Sequence, residues 1–441
     1  MTAVAVLDDG VADAESVAPL AMVENLVSPW GVVCGVYAAA TFRGLAELAH
    51  FVADAGRVDP RTVDNGTVHG SGHGLNGPER ARLIAVAEAA ERYAGGDILA
   101  EPRVWATAAQ LSGRVIEPDR FPRCSAAEYA DARCPLGPVD PVGSIRWVRG
   151  TELVSGEAIW VPAAMSCYSL RELGAAERFA PRISTGYAVH TDPVEAVLSG
   201  IFEVIERDAV SLLWQQMLPV PLVGPEVGSP MLDLVTRWAE RHFIRPYLFD
   251  ATTDLGVPTV YCVLVAEHST VLRTVVSSAA ARTLTRAAEK ASLETVVVRE
   301  FLAKASTPPP TAIDQVVSYG DGAQFMADAQ RADAFGFLLS GVDRRPPVPR
   351  VELPDDGRSA LTALADIFRK RDMPVAVVDR TPTELARVGL TAVSVSIPDL
   401  LPVSGSPFAQ FRADPRLYEA PVRMGFPARG EKELNPWPPP F

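Results

Sequence analysis

The chain has 441 residues, 48% hydrophobic and 22% charged, which is ample for a large buried core. A formal net charge of −13 excludes nucleic acid as the main partner, because a phosphate backbone needs a basic footprint. No apolar run reaches the roughly 18 residues that span a membrane, and five scattered cysteines without C-x-x-C spacing indicate neither a disulfide framework nor a zinc knuckle, although Cys124 and Cys134 could meet in principle.

Residues 1–22 read as a loose acidic arm without the basic start of a secretory signal, so the protein is expected in the cytoplasm. "ENLVSPWGVVCGVYAAA" opens the ordered body with a β-like stretch after Pro29. "GHGLNG", residues 72–77, matches G-x-G-x-x-G, the glycine pattern of a dinucleotide-binding turn. Its context is wrong, however. "RTVDNGTVHG" is a poor buried parallel strand, and the acids that follow, Glu88 and Glu91, lie on the next helix rather than beyond a second strand. An NAD-dependent oxidoreductase would rest on this motif alone, and no G-x-x-x-x-G-K-[ST] is present.

Helical periodicity covers 79–94, 194–217, 281–303 and 359–370. "RWVRGTELVSGEAIWVP" alternates about a glycine and predicts a hairpin, while "RPYLFDATTDLGVPTVYCVLVAE" and "MPVAVVDRTPTELARVGLTAVSVSIPDL" each carry two strand-like runs. Proline-rich breaks at 135–142, 307–311 and 345–354 mark loops or joints. Interspersed strands and helices predict a mixed α/β (α+β) architecture.

Two of the helical segments repeat one another. When Pro78 is aligned with Pro193, Glu88 falls on Glu203, Glu91 on Glu206 and Arg92 on Arg207. Each copy follows a glycine-containing turn, "HGSGHG" or "ISTGYA", and starts at a proline suited to the first helical position. Asp192 can cap the second helix with Glu195 as its capping-box partner, and Asn76 or Gly77 can cap the first. Glutamates three residues apart share a helix face. One such face is ordinarily solvated. Two brought together gather four carboxylates that need cations between them, and magnesium takes oxygen ligands from carboxylates and phosphates alike. The arginines offer planar forks for phosphate oxygens. In a third helix Arg286, Lys290 and Glu294 follow at four-residue steps, which suits either a ladder of surface ion pairs or, for Lys290, a phosphate contact.

At these residues the chain resembles the YcaO family of ATP-dependent peptide-backbone enzymes. "ARLIAVAEAAERYAG", "STGYAVHTDPVEAVLSGIFEVIERDAV" and the closing "PWPPPF" carry the resemblance, which extends from about Val23 to Phe441. It implies a YcaO-like catalytic domain over 23–425 and a C-terminal tail over 426–441. It also implies that Glu88, Glu91, Glu203 and Glu206 hold Mg2+ ions bridging ATP phosphates. Arg92 and Arg207 would brace that cluster or touch phosphate, and Ser71 and Ser184, in the turns, would approach the nucleotide. Glu195, in competition with its capping role, and Lys290 and Glu294 would join the nucleotide site. Three positions depart from the family pattern: His73 stands where lysine is common, Val297 where glutamine is common, and Ser394 in place of an arginine.

The P-x-P-x-P ending at Pro436, Pro438 and Pro440 reads as a polyproline II tail, free or bound to an SH3-type groove. The resemblance instead implies a segment inserted near the active site, with the terminal carboxylate of Phe441 as a general base. The implied reaction is cyclodehydration of a ribosomally made precursor peptide, in which Cys, Ser or Thr becomes an azoline. Thioamide or macroamidine formation is the alternative within the family. No leader-peptide-binding domain is recognised upstream, so a separate E1-like or ThiF-like partner is expected to deliver the substrate. A flavin dehydrogenase acting downstream and a homodimer are further expectations from the resemblance.

Overall fold

The computed structural model describes residues 22–39, 42–55, 69–75, 77–97, 102–340 and 347–441. The acidic arm and Asn76 therefore fall outside the described residues, Met22 aside. Among those described, helices and strands are interspersed, in agreement with the mixed α+β expectation.

Strands β1 (Val33–Ala38), β2 (Leu48–Ala55) and β3 (His69–Leu75) form an antiparallel sheet in that order. Helix α1 (Pro78–Ala94) packs on β2 and β3. Here the structure corrects the sequence reading: "HGSGHG" is not a turn but most of β3. Its glycines serve close packing. A Cβ on Gly70 would lie 2.3 Å from the Ala85 carbonyl oxygen, and one on Gly72 would lie 2.0 Å from that of Ala81. The helix answers with its own smallest residues, since Ala81, Ala85, Ala89 and Ala90 are completely buried. Such an edge strand in an antiparallel sheet removes the dinucleotide reading of "GHGLNG", which requires a parallel strand feeding a helix.

Strands β4 (Val104–Ala106), β5 (Arg114–Val115), β6 (Ile145–Glu152), β7 (Ala158–Pro162) and β8 (Tyr187–His190) belong to a second sheet. The predicted hairpin is β6–β7. Helix α2 (Pro193–Gln215) lies on β8 and is almost wholly buried from Gly200 onward. The Asp192 side chain caps it by accepting from the Val194 amide at 2.8 Å. Glu195 does not complete a capping box, because its carboxylate is drawn to Arg282 instead.

Helix α3 (Pro230–Arg241) precedes a third, antiparallel sheet of β9 (Arg245–Asp250), β10 (Thr259–Val265) and β11 (Thr274–Ala280), ordered β11-β10-β9. Every residue of β10 is buried. Tyr261, Val263 and Val265 join the core containing Trp214 of α2, whereas Val260, Cys262 and Leu264 join the core beneath α3 and helix α4 (Leu284–Ala303). An unbroken apolar run is what two covered faces require. Helices α5 (Tyr319–Ala327) and α6 (Gly357–Arg369) follow, and β12 (Ala376–Asp379) and β13 (Thr391–Ser396) complete the second sheet in the order β5-β7-β6-β12-β13-β8, with β4 on β6.

Candidate functional site

Helices α1, α2 and α4 and the end of β11 border an open cleft. Glu91, Glu203 and Glu206 line it together with Arg282, Arg286 and Lys290. The two repeated helices thus meet in space through these side chains.

In α1 the Arg92 guanidinium donates to Glu91 Oε1 and to Glu88 Oε1, both at 2.8 Å. Glu88 Oε2 accepts from the Ser71 amide at 2.8 Å. In α2 Arg207 Nη1 donates to Glu206 Oε1 at 3.0 Å, and its Nη2 lies 3.6 Å from Glu203 Oε1. Glu203 Oε2 accepts from the Gly186 amide at 3.1 Å, and Glu206 Oε1 from the Ser278 hydroxyl at 2.8 Å. Gly186 adopts φ +87°, and a Cβ there would sit 2.2 Å from the Val395 carbonyl oxygen, so only glycine brings this amide to the carboxylate.

All four glutamates are buried. Burial holds the Glu91 carboxyl well above its ordinary range; Arg92 pulls it down, while Glu203 and Glu88 push it up. Glu203 is raised to about 6, again chiefly by burial and against the pull of Arg207. Its Oε1 is buried without a hydrogen-bond partner. Desolvation lowers the Lys290 ammonium and raises Glu294, whose next largest influence is the repulsion of Glu206.

These observations suit a hard divalent cation. The donors are oxygens, one lacks a hydrogen-bond partner, and Glu203 and Glu88 raise the proton affinity of Glu91. Among the described residues no three of His, Cys, Asp and Glu converge as a finished metal cage. Magnesium does not need one, because it takes one or two carboxylates and fills its remaining positions with phosphate and water.

The remaining expected residues divide. Glu195 lies in the cleft, paired with Arg282 at 2.6 Å. Arg286 pairs with Glu289 at 3.1 Å. Ser71 sits in β3 and its hydroxyl lies 2.8 Å from His50 Nε2. Ser184 precedes the Thr185–Gly186 turn, outside the cleft lining. His73 stands opposite His50 in the β2–β3 ladder, and burial, then His50 and Lys290, lower its imidazole to about 4. Ser394 is completely buried between Val378 and Tyr187 in the second sheet, and Val297 is buried in the core beneath α4.

The tail is laid against the protein. The Trp214 indole donates to the Trp437 carbonyl at 3.0 Å, and the Asn435 amide donates to the Gln215 carbonyl at 2.9 Å. Pro438, Pro439 and Pro440 are buried. The Phe441 ring lies 5.0 Å from the Arg207 guanidinium carbon and stacks at 6.4 Å on Tyr261. A cation over an aromatic face is favourable.

Arg282, Ser278 and His50 were not singled out in the sequence. Only Arg282 had a signal there, because the four-residue step through Lys290 and Arg286 runs back to it. Ser278 and His50 arrive from distant strands.

The family model described as YcaO cyclodehydratase, ATP- and Mg2+-binding, matches residues 71–401. An uncharacterized protein in the tfuA 3′ region of Rhizobium leguminosarum bv. trifolii is 30% identical over 163 residues, which is 35% of this chain and 38% of that protein. The match therefore spans about four-tenths of that relative's length. A heterocyclase in complex with substrate and cofactor superposes with a TM-score of 0.81 at 23% identity, over 97% of this chain and 57% of that one. YcaO from Methanopyrus kandleri, bound with AMPPCP and Mg2+, gives 0.56 at 20% identity, over 84% and 86%. A chain of the E. coli microcin synthetase McbBCD complex with pro-MccB17 bound gives 0.58 at 13%, over 83% and 88%. With its family model covering three-quarters of its length and its fold shared with these structures, the chain belongs to the YcaO family of ATP- and Mg2+-binding cyclodehydratases.

Proposed function

We propose that this chain is an ATP-dependent cyclodehydratase that converts Cys, Ser or Thr of a ribosomally made peptide to azolines. The observation that carries this reading is the make-up of the cleft, whose lining combines the buried Glu91, Glu203 and Glu206 with Arg282, Arg286 and Lys290. A triphosphate needs cations on both sides. Arg282, Arg286 and Lys290 would supply one set, and Glu88, Glu91, Glu203 and Glu206 would hold Mg2+ as the other. Bound there, Mg2+ would draw charge from the phosphate oxygens during transfer.

The peptide chemistry follows from a poor leaving group. Attack of a side-chain thiol or hydroxyl on the preceding carbonyl gives an oxyanion, which takes the γ-phosphoryl group as ADP departs. Loss of phosphate and of the amide proton then closes the C=N bond of the ring. The chain's residues bind and orient in this scheme. Arg92 and Arg207 would brace the carboxylates, Lys290 and Glu294 would join the nucleotide site, and Ser71 and Ser184 would approach the nucleotide. The Phe441 carboxylate, at the end of a tail clamped to α2, is a candidate to receive a proton from the peptide. We assign catalysis to 23–425 and active-site insertion to 426–441, with a precursor peptide as substrate and a separate E1-like or ThiF-like protein as its carrier.

The shared fold with the microcin synthetase complex, which has pro-MccB17 bound, supports peptide as the substrate class. Titration of Mg–ATP against NAD by calorimetry, followed by phosphate release with Cys- and Ser-containing peptides, tests the proposal. Mg–ATP should bind, and Glu91→Gln or Glu206→Gln should abolish release. Binding of NAD alone would refute it.

A further inference from the structure

The three glutamates that line the cleft share a feature that their spacing alone does not give. In each, one carboxylate oxygen is already taken by a donor from the protein. Glu91 Oε1 accepts from Arg92 and Glu203 Oε2 from the Gly186 amide. Glu206 Oε1 accepts from two donors, Arg207 Nη1 at 3.0 Å and the Ser278 hydroxyl at 2.8 Å. The second oxygen is left over. Glu203 Oε1 is buried without a hydrogen-bond partner, and among the described residues no donor reaches Glu91 Oε2 or Glu206 Oε2 within hydrogen-bond distance.

The Arg92 and Gly186 tethers arise within the repeat itself, from the arginine beside the glutamate and from the turn before α2. Ser278 comes from outside it. It stands on β11, 72 residues from Glu206 in sequence and opposite Tyr261 in the β10–β11 ladder, and is completely buried. Ala280, two residues further along the same face of the strand, lines the cleft. A hydroxyl buried at such a place costs free energy unless it is hydrogen-bonded, and its partner is the Glu206 carboxylate. Arg207 holds Oε1 only by a long side chain from the same helix. The second donor, from a strand, fixes the rotation of the carboxyl group, so that one oxygen and not both is offered to a cation.

Hard divalent cations respond differently to such a carboxylate. Ca2+ takes about six to eight oxygens in flexible geometry and accepts both oxygens of one carboxylate, whereas the smaller Mg2+ demands near-octahedral geometry. We infer that Ser278 is a specificity-determining residue of the metal site: by holding Glu206 Oε1 it restricts this carboxylate to one-oxygen coordination and so favours Mg2+ over Ca2+. It acts through Glu206, as a positioning residue. This inference rests on the metal–triphosphate reading of the cleft.

Calorimetric titration of the full chain with Mg–ATP and with Ca–ATP, without peptide, measures the preference. The wild type should bind Mg–ATP about tenfold or more tightly than Ca–ATP, and Ser278→Ala should lower that ratio about tenfold, the size of one hydrogen bond to a charged group. Ser278→Cys, nearly the same size but a weak donor, should do likewise and carries the test if the alanine variant does not fold. Ser277→Ala removes a hydroxyl from the opposite face of β11 and should keep the wild-type ratio. A wild type that binds both complexes equally, a Ser278 variant that keeps the wild-type ratio, or a Ser277→Ala protein that loses it overturns the inference and leaves the triphosphate site standing. A wild type that binds neither complex overturns both.

Discussion

Asp208 follows Arg207 on α2 but faces the other way, into the C-terminal segment. Its carboxylate is completely buried and accepts from Arg416 Nε and Nη2, each at 2.6 Å, and from the Leu401 amide at 3.0 Å. Arg416 Nη2 also reaches Asp254 at 2.9 Å. Removing one partner of such a pair strands the other, which ordinarily costs about 3–5 kcal/mol. In Asp208→Asn the guanidinium keeps Asp254, so the lower end, about 3 kcal/mol, is expected in urea unfolding. Arg416→Met should cost a similar amount. In the double variant Asp208→Leu, Arg416→Met, an apolar contact replaces both charges, and most of the loss should be recovered, because exchange of a buried pair for well-packed apolar groups is often neutral. If Asp208→Asn lies within about 0.5 kcal/mol of wild type, or the double variant costs the sum of the singles, the pair does not fasten the C-terminal segment to α2 as argued.

Three further outcomes follow from the geometry. Burial raises Asp414 to about 6 from an ordinary 3.8, so its proton stabilises the folded chain below about pH 4 and that contribution is lost as pH rises through 6. Asp414→Asn should flatten the fall in stability across this window, about 3 kcal/mol at most. Gly72→Ala drives a methyl group into the Ala81 carbonyl and should cost about 1–3 kcal/mol in urea unfolding, whereas Gly137→Ala, with nothing within 4 Å, should be neutral. Deleting 438–441 removes the Phe441–Arg207 contact but leaves the Trp437 and Asn435 hydrogen bonds to α2. That protein should bind Mg–ATP by calorimetry and lose peptide-dependent phosphate release, and unchanged release would exclude a role for the terminal carboxylate.

What could be read from the chain alone is what local chemistry governs. The proline starts of α1 and α2, the Asp192 cap and the glutamate spacing depend on a few adjacent residues, and each helix lies within a few residues of its expected bounds. The β6–β7 hairpin and the two-sided burial of β10 are likewise local patterns. "HGSGHG" was misread for the opposite reason. Glycine's local preference is for turns, and only the alanine face of α1, lying against β3, turns that preference into a requirement for close approach. Glu195 failed as a capping partner because Arg282, 87 residues away, offers it a full charge.

Sequence by itself determined the two acidic helical faces, their matched register and the family, since all three reside in contiguous residues and their spacing. Tertiary structure alone decided that those faces share one cleft, that Arg282, Arg286 and Lys290 line it with them, that Ser278 and Gly186 donate to the glutamates, and that Phe441 returns to Arg207. The reason is physical. Helix periodicity follows from nearest neighbours, whereas the distance between two helices is set by the sheets packed between them, whose strands come from the whole length of the chain.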